Sequence, residues 1–300
     1  MAIVLGPNQF GKAEVRLVRI DRSRTVHHIT DLNVSTALRG DFDDAHLLGD
    51  NSHILTTDAQ KNTVYAFARE YGTGQIEDFA LRLGRHFVGS FPWIHGARVE
   101  IEQFAWERIV VDGSPHDHAF SQPGGERRTT VVTVDGPSVS VVSGLAGLVM
   151  LKSTGSEFHG FPRDRYTTLA ETTDRVLATE VTAQWRYVTT DLDFGPLFGR
   201  VRDALVTTFA QVHSLALQQT LHRMGEAALT AVEQVAEIRI SMPNKHHFLV
   251  DLSPFGLDNP DIVYQVPDRP YGLIEATVLR DDAPTVSDRP QARPDTTSAP

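Results

Sequence analysis

Asn244, Lys245, His246 and His247 stand in a row just ahead of Phe248, Val250 and Leu252, which fall on alternate positions. An amide, an ammonium and two imidazoles can between them bind polar groups and relay protons, and the alternation that follows predicts a β-strand. On a strand, successive side chains point to opposite faces, so Asn244 and His246 share one face and Lys245 and His247 take the other. A strand entrance loaded in this way is poorly suited to core packing and raises the question of which site it borders.

Other histidines gather in "TVHHITD" and "GSPHDHAF" and invite a zinc reading. His27 and His28, however, would face opposite ways on a strand. His116 and His118 would face the same way, but beside Asp117 in a glycine-rich loop they suit surface hydrogen bonding as well as metal ligation. Neither His-Glu-x-x-His nor Gly-x-Ser-x-Gly occurs, nor a glycine-rich phosphate loop. The sequence has no cysteine, which excludes disulfides, thiolate metal sites and cysteine nucleophiles.

Residues 151–175, "LKSTGSEFHGFPRDRYTTLAETTDR", form a long excursion without core periodicity. Phe158, Phe161 and Tyr166 make it too aromatic for a disordered loop, so it either staples to a sheet or lines a site. Taken singly, the other polar candidates have plain readings. Lys12 is a solvated strand-end charge, Thr57 a helix N-cap or turn residue, Arg175 an ion-pair partner and Gln218 a helix-start residue.

The elements that must position these residues follow from periodicity. "KAEVRLVRI" and "TVHHITDLNVSTAL" alternate and predict a hairpin. "QKNTVYAFARE" and "IEDFALRLGRHFVGSF" carry apolar residues three and four apart and predict helices, with "ARVEIEQFAWERIVV" and "ERRTTVVTV" as strands around a loop, "DGSPHDHAFSQPGG". The order ββααββ then recurs. Strands "SVSVVSGLAGLVMLKS" and "VTAQWRYVTTDL" precede helices "LFGRVRDALVTTFAQV" and "LQQTLHRMGEAALTAV", followed by strands "EIRISMPNKHHFLVDL" and "YGLIEATVL".

This predicts an α+β chain of two tandem halves, residues 1–136 and 137–280, each an antiparallel sheet with helices on one face. The alternation in "EQFAWERI" and "AQWRY" suggests an apolar opposite face and hence oligomerisation. Residues 281–300, rich in proline, aspartate and small polar residues, read as a disordered tail. A net charge of -10 without any basic block argues against nucleic acid. No apolar run nears the ~20 residues of a membrane span, and the start lacks a basic, apolar leader, so a cytoplasmic protein is expected.

The run "LVMLKSTGSEFHGFPRDRYTTLAETTDR" resembles the signature of the urate oxidase (uricase) family, as do "GKAEVRLVRI", "TTDAQKNTVYAFA", "HSLALQQT" and "PNKHHFLVDL", in order from about Gly11 to Arg280. A bacterial type is expected, since "TSAP" at the end is not a Ser-Lys-Leu tripeptide. The resemblance implies a tunnelling fold, two ββααββ halves per chain and a homotetrameric barrel with sites between subunits. It also implies oxidation of urate by molecular oxygen to 5-hydroxyisourate and peroxide, with no metal or organic cofactor. Residue by residue, Phe158 would stack on the purine and Arg175 would fork onto its urea-like edge. Gln218 would pair with the pyrimidine-ring edge, and Leu217 would lend a backbone N–H. Asn244 would face the oxygen site, and His246 would complete a relay with Lys12 and Thr57. Thr57 and the Asp58 backbone would reach in from a neighbouring subunit.

The chemistry suits these residue types. Urate is a flat anion rimmed by carbonyls and N–H groups, which an aromatic face and polar forks recognise. Triplet oxygen reacts slowly with closed-shell molecules, so the substrate must first be made electron-rich by removing a proton. A lysine acting through a threonine hydroxyl is a credible base, and a histidine can pass the proton on. The readings that compete are a purine-binding protein without turnover and a metal-dependent pterin-type enzyme on the same fold.

Overall fold

A computed structural model of the protein describes residues 2–283. All but the first three residues of the expected tail lie outside the described residues. The hairpin predicted at the start is β1 (Phe10–Asp21) paired antiparallel with β2 (His28–Gly40). Next come a short α1 (Asp43–Leu47), α2 (Thr57–Glu70) and α3 (Ile76–Ser90). The first half closes with β3 (Ile94–Phe104), β4 (Glu107–Val111), β5 (Ser114–Ser121) and β6 (Arg127–Asp135). The second half repeats the plan with β7 (Ser138–Lys152), β8 (Leu177–Tyr187), α4 (Phe194–Gln211), α5 (Leu217–Ala231) and β9 (Val235–Asn244). It ends with β10 (Phe248–Leu249), β11 (Tyr264–Gln265) and β12 (Gly272–Leu279).

The two halves share one eight-stranded sheet, in the order β1-β2-β3-β6-β7-β8-β9-β12, rather than a sheet each. The reason is local. Gly136, at φ 54°, turns the chain so tightly that Asp135 pairs with Ser138, and the last strand of one half must hydrogen-bond the first strand of the other. Two further expectations change. The stretch read as one strand over 97–111 breaks after Phe104, and β4 and β5, the latter inside the expected loop, form a separate hairpin. The strand expected over 237–252 stops at Asn244, so the alternation argument for His246 does not apply. His247 Nδ1 lies 2.9 Å from the Lys245 carbonyl, and β10 pairs with β11 instead.

Alternate residues of the sheet face the helices. Leu32, Val34, Val99, Ile101, Val132, Trp185, Ile238 and Met242 are all buried there. Each such side chain contributes ~1.5–3 kcal/mol, which holds the helical layer on the sheet. The opposite face is mixed: Val18, Ile20, Val149 and Leu151 are exposed on it, but "EQFAWERI" and "AQWRY" do not supply the apolar surface expected of them. The period of two sends Trp185 beneath α4, against Phe198, and leaves Gln184 and Arg186 on the far side. That side carries ion pairs, among them Arg98 with Glu100 at 2.9 Å, Arg127 with Glu102 at 3.1 Å and Arg186 with Glu237 at 3.4 Å.

A buried carboxylate joins the halves. Glu77, in the first turn of α3, is fully enclosed, accepts from Arg128 at 2.6 Å and accepts a hydrogen bond from Ser143 of β7. The same guanidinium reaches Gln75 at 2.9 Å and lies over the Phe198 ring of α4. Removing one member of such a pair strands the other in the core, at a cost of ~3–5 kcal/mol.

Candidate functional site

The candidate residues fall into two clusters on opposite flanks of the sheet. Lys12 lies on the edge strand β1, whereas Arg175 and Asn244 border β8 and β9, five strand spacings or more away and so ~24 Å along the sheet.

In the first cluster, Lys12 is half-buried opposite Thr36, and its N–H donates to Thr36 Oγ1 at 3.3 Å. The residue before it must be glycine, because a Cβ on Gly11 would lie 1.8 Å from the Thr36 carbonyl oxygen. A bulge follows, between Lys12 and Val15, with Glu14 at φ 58°. It keeps Lys12 on the helix side even though the later alternation is displaced by a residue. Thr36 Oγ1 in turn donates to Gln60 Oε1 at 2.7 Å in the core, which pins the first turn of α2 to the strand. The N-cap is Thr56, which accepts from the Ala59 N–H at 3.1 Å. Thr57 and Asp58 are thereby left exposed at the helix start, where backbone N–H groups have no partner within the helix. Lys61, at 2.6 Å, holds the Asp58 carboxyl below the usual range, with a smaller contribution from Lys12.

The second cluster is built on the excursion between β7 and β8. Phe158 is held by paired backbone bonds with Thr172, at 2.8 and 3.0 Å. Phe161 stacks behind its ring, with centroids 5.1 Å apart, and the Arg175 guanidinium lies 5.3 Å from the ring centroid. Asp174 fixes the turn before Arg175, accepting from Thr154 Oγ1 at 2.6 Å and from the Gly155 N–H at 2.9 Å. Burial pushes the Arg175 guanidinium below its ordinary value, and its buried Nε has no hydrogen-bond partner. Arg175 thus departs from the plain ion-pair reading, since a desolvated cation with a spare donor suits an anionic ligand.

His246 faces this cation and stacks on Phe248, with centroids 5.5 Å apart. Burial, and then the nearby Arg175 charge, hold its imidazole below the ordinary histidine range and therefore neutral at pH 7. Asn244, the last residue of β9, pairs across the ladder with Thr179 of β8, whose fully buried hydroxyl has no hydrogen-bond partner. Leu217 and Gln218 open α5, where Ala216 gives no side-chain cap and the first N–H groups are free to bind a ligand. Buried Leu217 anchors the helix, while Gln218 is exposed.

Of the supporting residues, the sequence suggests a secondary role for Lys152 and His159 and misses Glu157 and His213. Lys152 donates to the Val212 carbonyl at 2.5 Å, and Glu157 bonds His159 and His213. Glu157 and His159 adjoin Phe158 in the sequence, whereas His213 is 56 positions from Glu157 and meets it only in the fold. The open cleft lined by Tyr71, Arg82, Arg85, Thr190 and Asp191 contains none of the candidates. Among the described residues, no group of three or more histidine, cysteine, aspartate or glutamate side chains is arranged to hold a metal, and no helix is long and apolar enough to cross a membrane.

Comparison with known proteins places these residues in context. The family described as uricase matches residues 8–133 and 141–275. The uricase of Arthrobacter globiformis is 56% identical over 279 residues, covering 93% of this chain and 91% of that protein. The uricase of Dictyostelium discoideum is 37% identical, covering 91% and 96% respectively. The crystal structure of uricase from Arthrobacter globiformis superposes with a TM-score of 0.91 at 55% identity, over 97% of this chain and 99% of that one.

Proposed function

The chain belongs to the uricase family, and on that premise we propose that it oxidises urate with molecular oxygen and water to 5-hydroxyisourate and hydrogen peroxide, without metal or organic cofactor. The observation that carries this reading is the grouping of Phe158, an incompletely bonded Arg175 and a neutral His246. An aromatic face, a desolvated cation and a proton acceptor together suit a planar anion about to lose a proton.

In this mechanism, urate stacks on Phe158, and Arg175 and Gln218 grip its rim. The free N–H groups of two helix starts, Leu217 in α5 and Asp58 in α2, meet its negative charge. Lys12, acting through Thr57, removes the proton that makes the ring electron-rich, and neutral His246 passes a proton on. Asn244 holds the oxygen or peroxide above the ring. Water then adds at the oxidised carbon, giving the 5-hydroxy product while both electrons leave on peroxide.

Because Lys12 and Thr57 lie on the flank opposite Arg175, one chain supplies two half-sites separated by the width of its sheet. We infer a homotetramer in which the first cluster of one subunit completes the second cluster of its neighbour, working in the cytoplasm. The test follows urate absorbance, oxygen uptake and peroxide in one sample treated with a chelator, with sedimentation for the oligomer. Matched loss of urate and oxygen with peroxide release is expected. Binding without turnover would leave a purine-binding protein, and activity abolished by the chelator would favour the metal-dependent alternative.

A further inference from the structure

One polar knot in the second cluster has no part in the mechanism above. Glu157, the residue before Phe158, has a side chain only 15% exposed. Its two carboxylate oxygens are shared out, one 2.7 Å from His159 Nε2 and the other 2.6 Å from His213 Nε2. The backbone follows the same path. The Glu157 N–H donates to the Ser214 carbonyl at 2.8 Å, and the Ser214 N–H to the Gly155 carbonyl at 2.9 Å. Ser214 Oγ is in turn bonded by Thr220 of α5 at 2.8 Å.

The arrangement spans the two segments that would touch substrate. His159 flanks the Phe158 ring on its far side in sequence, and His213 leads through Ser214 into the start of α5. Stability does not account for it, because the imidazoles are 51% and 58% exposed and ion pairs so open to water add little. Short, directional bonds to a carboxylate do fix geometry, and small misplacements of a substrate-gripping group are costly.

We propose that Glu157 is a positioning residue for urate: through His159 and His213 it sets the spacing between the Phe158 ring and the first N–H groups of α5. The role rests on the urate-oxidising reading above.

The test uses the intact assembly and separates KM from kcat. Glu157→Ala is expected to raise KM for urate about tenfold and to change kcat by less than about twofold, the signature of lost ground-state binding. Glu157→Gln keeps the shape and one acceptor and should recover most of that loss. His159→Gln and His213→Gln should each raise KM about threefold in the wild-type background and add nothing to Glu157→Ala, because the bonds they remove are already gone. An unchanged KM in Glu157→Ala overturns the proposal, as does an equal fall in kcat and kcat/KM. If Glu157→Ala does not assemble, the His159→Gln/His213→Gln double variant decides, since both rings are half exposed, and an unchanged KM there overturns the proposal. A wild-type protein that does not oxidise urate overturns the functional reading itself, whereas an active wild type with an insensitive KM overturns only the positioning role.

Discussion

The two clusters differ in how far their own chain satisfies them. Around Lys12 and Thr57 the neighbouring side chains bond one another, and backbone N–H groups at the start of α2 are left over. Thr56 caps α2, Gln60 ties it to Thr36, and Asp58 is taken up by Lys61 and Asn62. Around Arg175 the side-chain bonding is incomplete, since buried Nε of Arg175 and the hydroxyls of Ser156 and Thr179 have no hydrogen-bond partner. The first cluster reads as a rigid platform for proton handling and the second as a surface prepared for a polar ligand. Desolvated groups left unsatisfied by the fold are the ones that gain most from a substrate's rim.

That contrast can be broken by asking which kinetic constant each cluster controls. The largest effect is expected from Lys12→Met and Thr57→Ala, which should lower kcat by ~100-fold or more while leaving KM within about threefold, as removal of a general base does. A raised KM with an unchanged kcat in both variants would erase the distinction between the clusters. Arg175→Leu should cut kcat/KM by about 100-fold, mainly through KM, with no fall in thermal stability because it removes a desolvated charge. A large drop in melting temperature would show that Arg175 serves the fold instead.

Mixing sharpens the comparison further. Inactive Thr57→Ala subunits reassembled with inactive Arg175→Ala subunits should regain up to about a quarter of wild-type activity, the share of sites that draw a sound half from each parent. No recovery in oligomers shown by mass to be mixed would confine each site to one chain.

The smallest effect concerns pH. His246 is held low by burial first and by Arg175 second, so its neutral, proton-accepting form persists as pH falls below the ordinary ~6.5 of histidine and is lost only through its lowered value. Activity should therefore decline on the acid side of that ordinary value. In Arg175→Gln, an NMR titration of His246 should move up and still stay below the ordinary value, because burial remains. A His246 that titrates normally in the wild type would remove the contrast between a desolvated cluster and a wet one.

The elements were largely legible from the sequence, because periods of two and 3.6 are local properties. The strands around Leu32 and Ile101 and the helices around Phe79 and Leu221 lie where alternation and three-to-four spacing predict them. The nature of the open face was not, since a strand's period does not say which of its two faces a helix will cover, and Trp185 chose the covered one. The candidate site was legible as residue types in ordered blocks. Its supports were not, because Glu157 meets His213 across 56 positions and Thr154 meets Asp174 across 20.

By itself, then, the sequence determined the chemistry at hand, the order of elements and the family, since these depend on side-chain type and on neighbours along the chain. Only the tertiary structure decided that the halves fuse into one sheet, that His246 lies between strands and not on one, and that Arg175 is partly buried without a bonded partner for its Nε. Those are outcomes of burial, and burial depends on parts of the chain that meet only once it has folded.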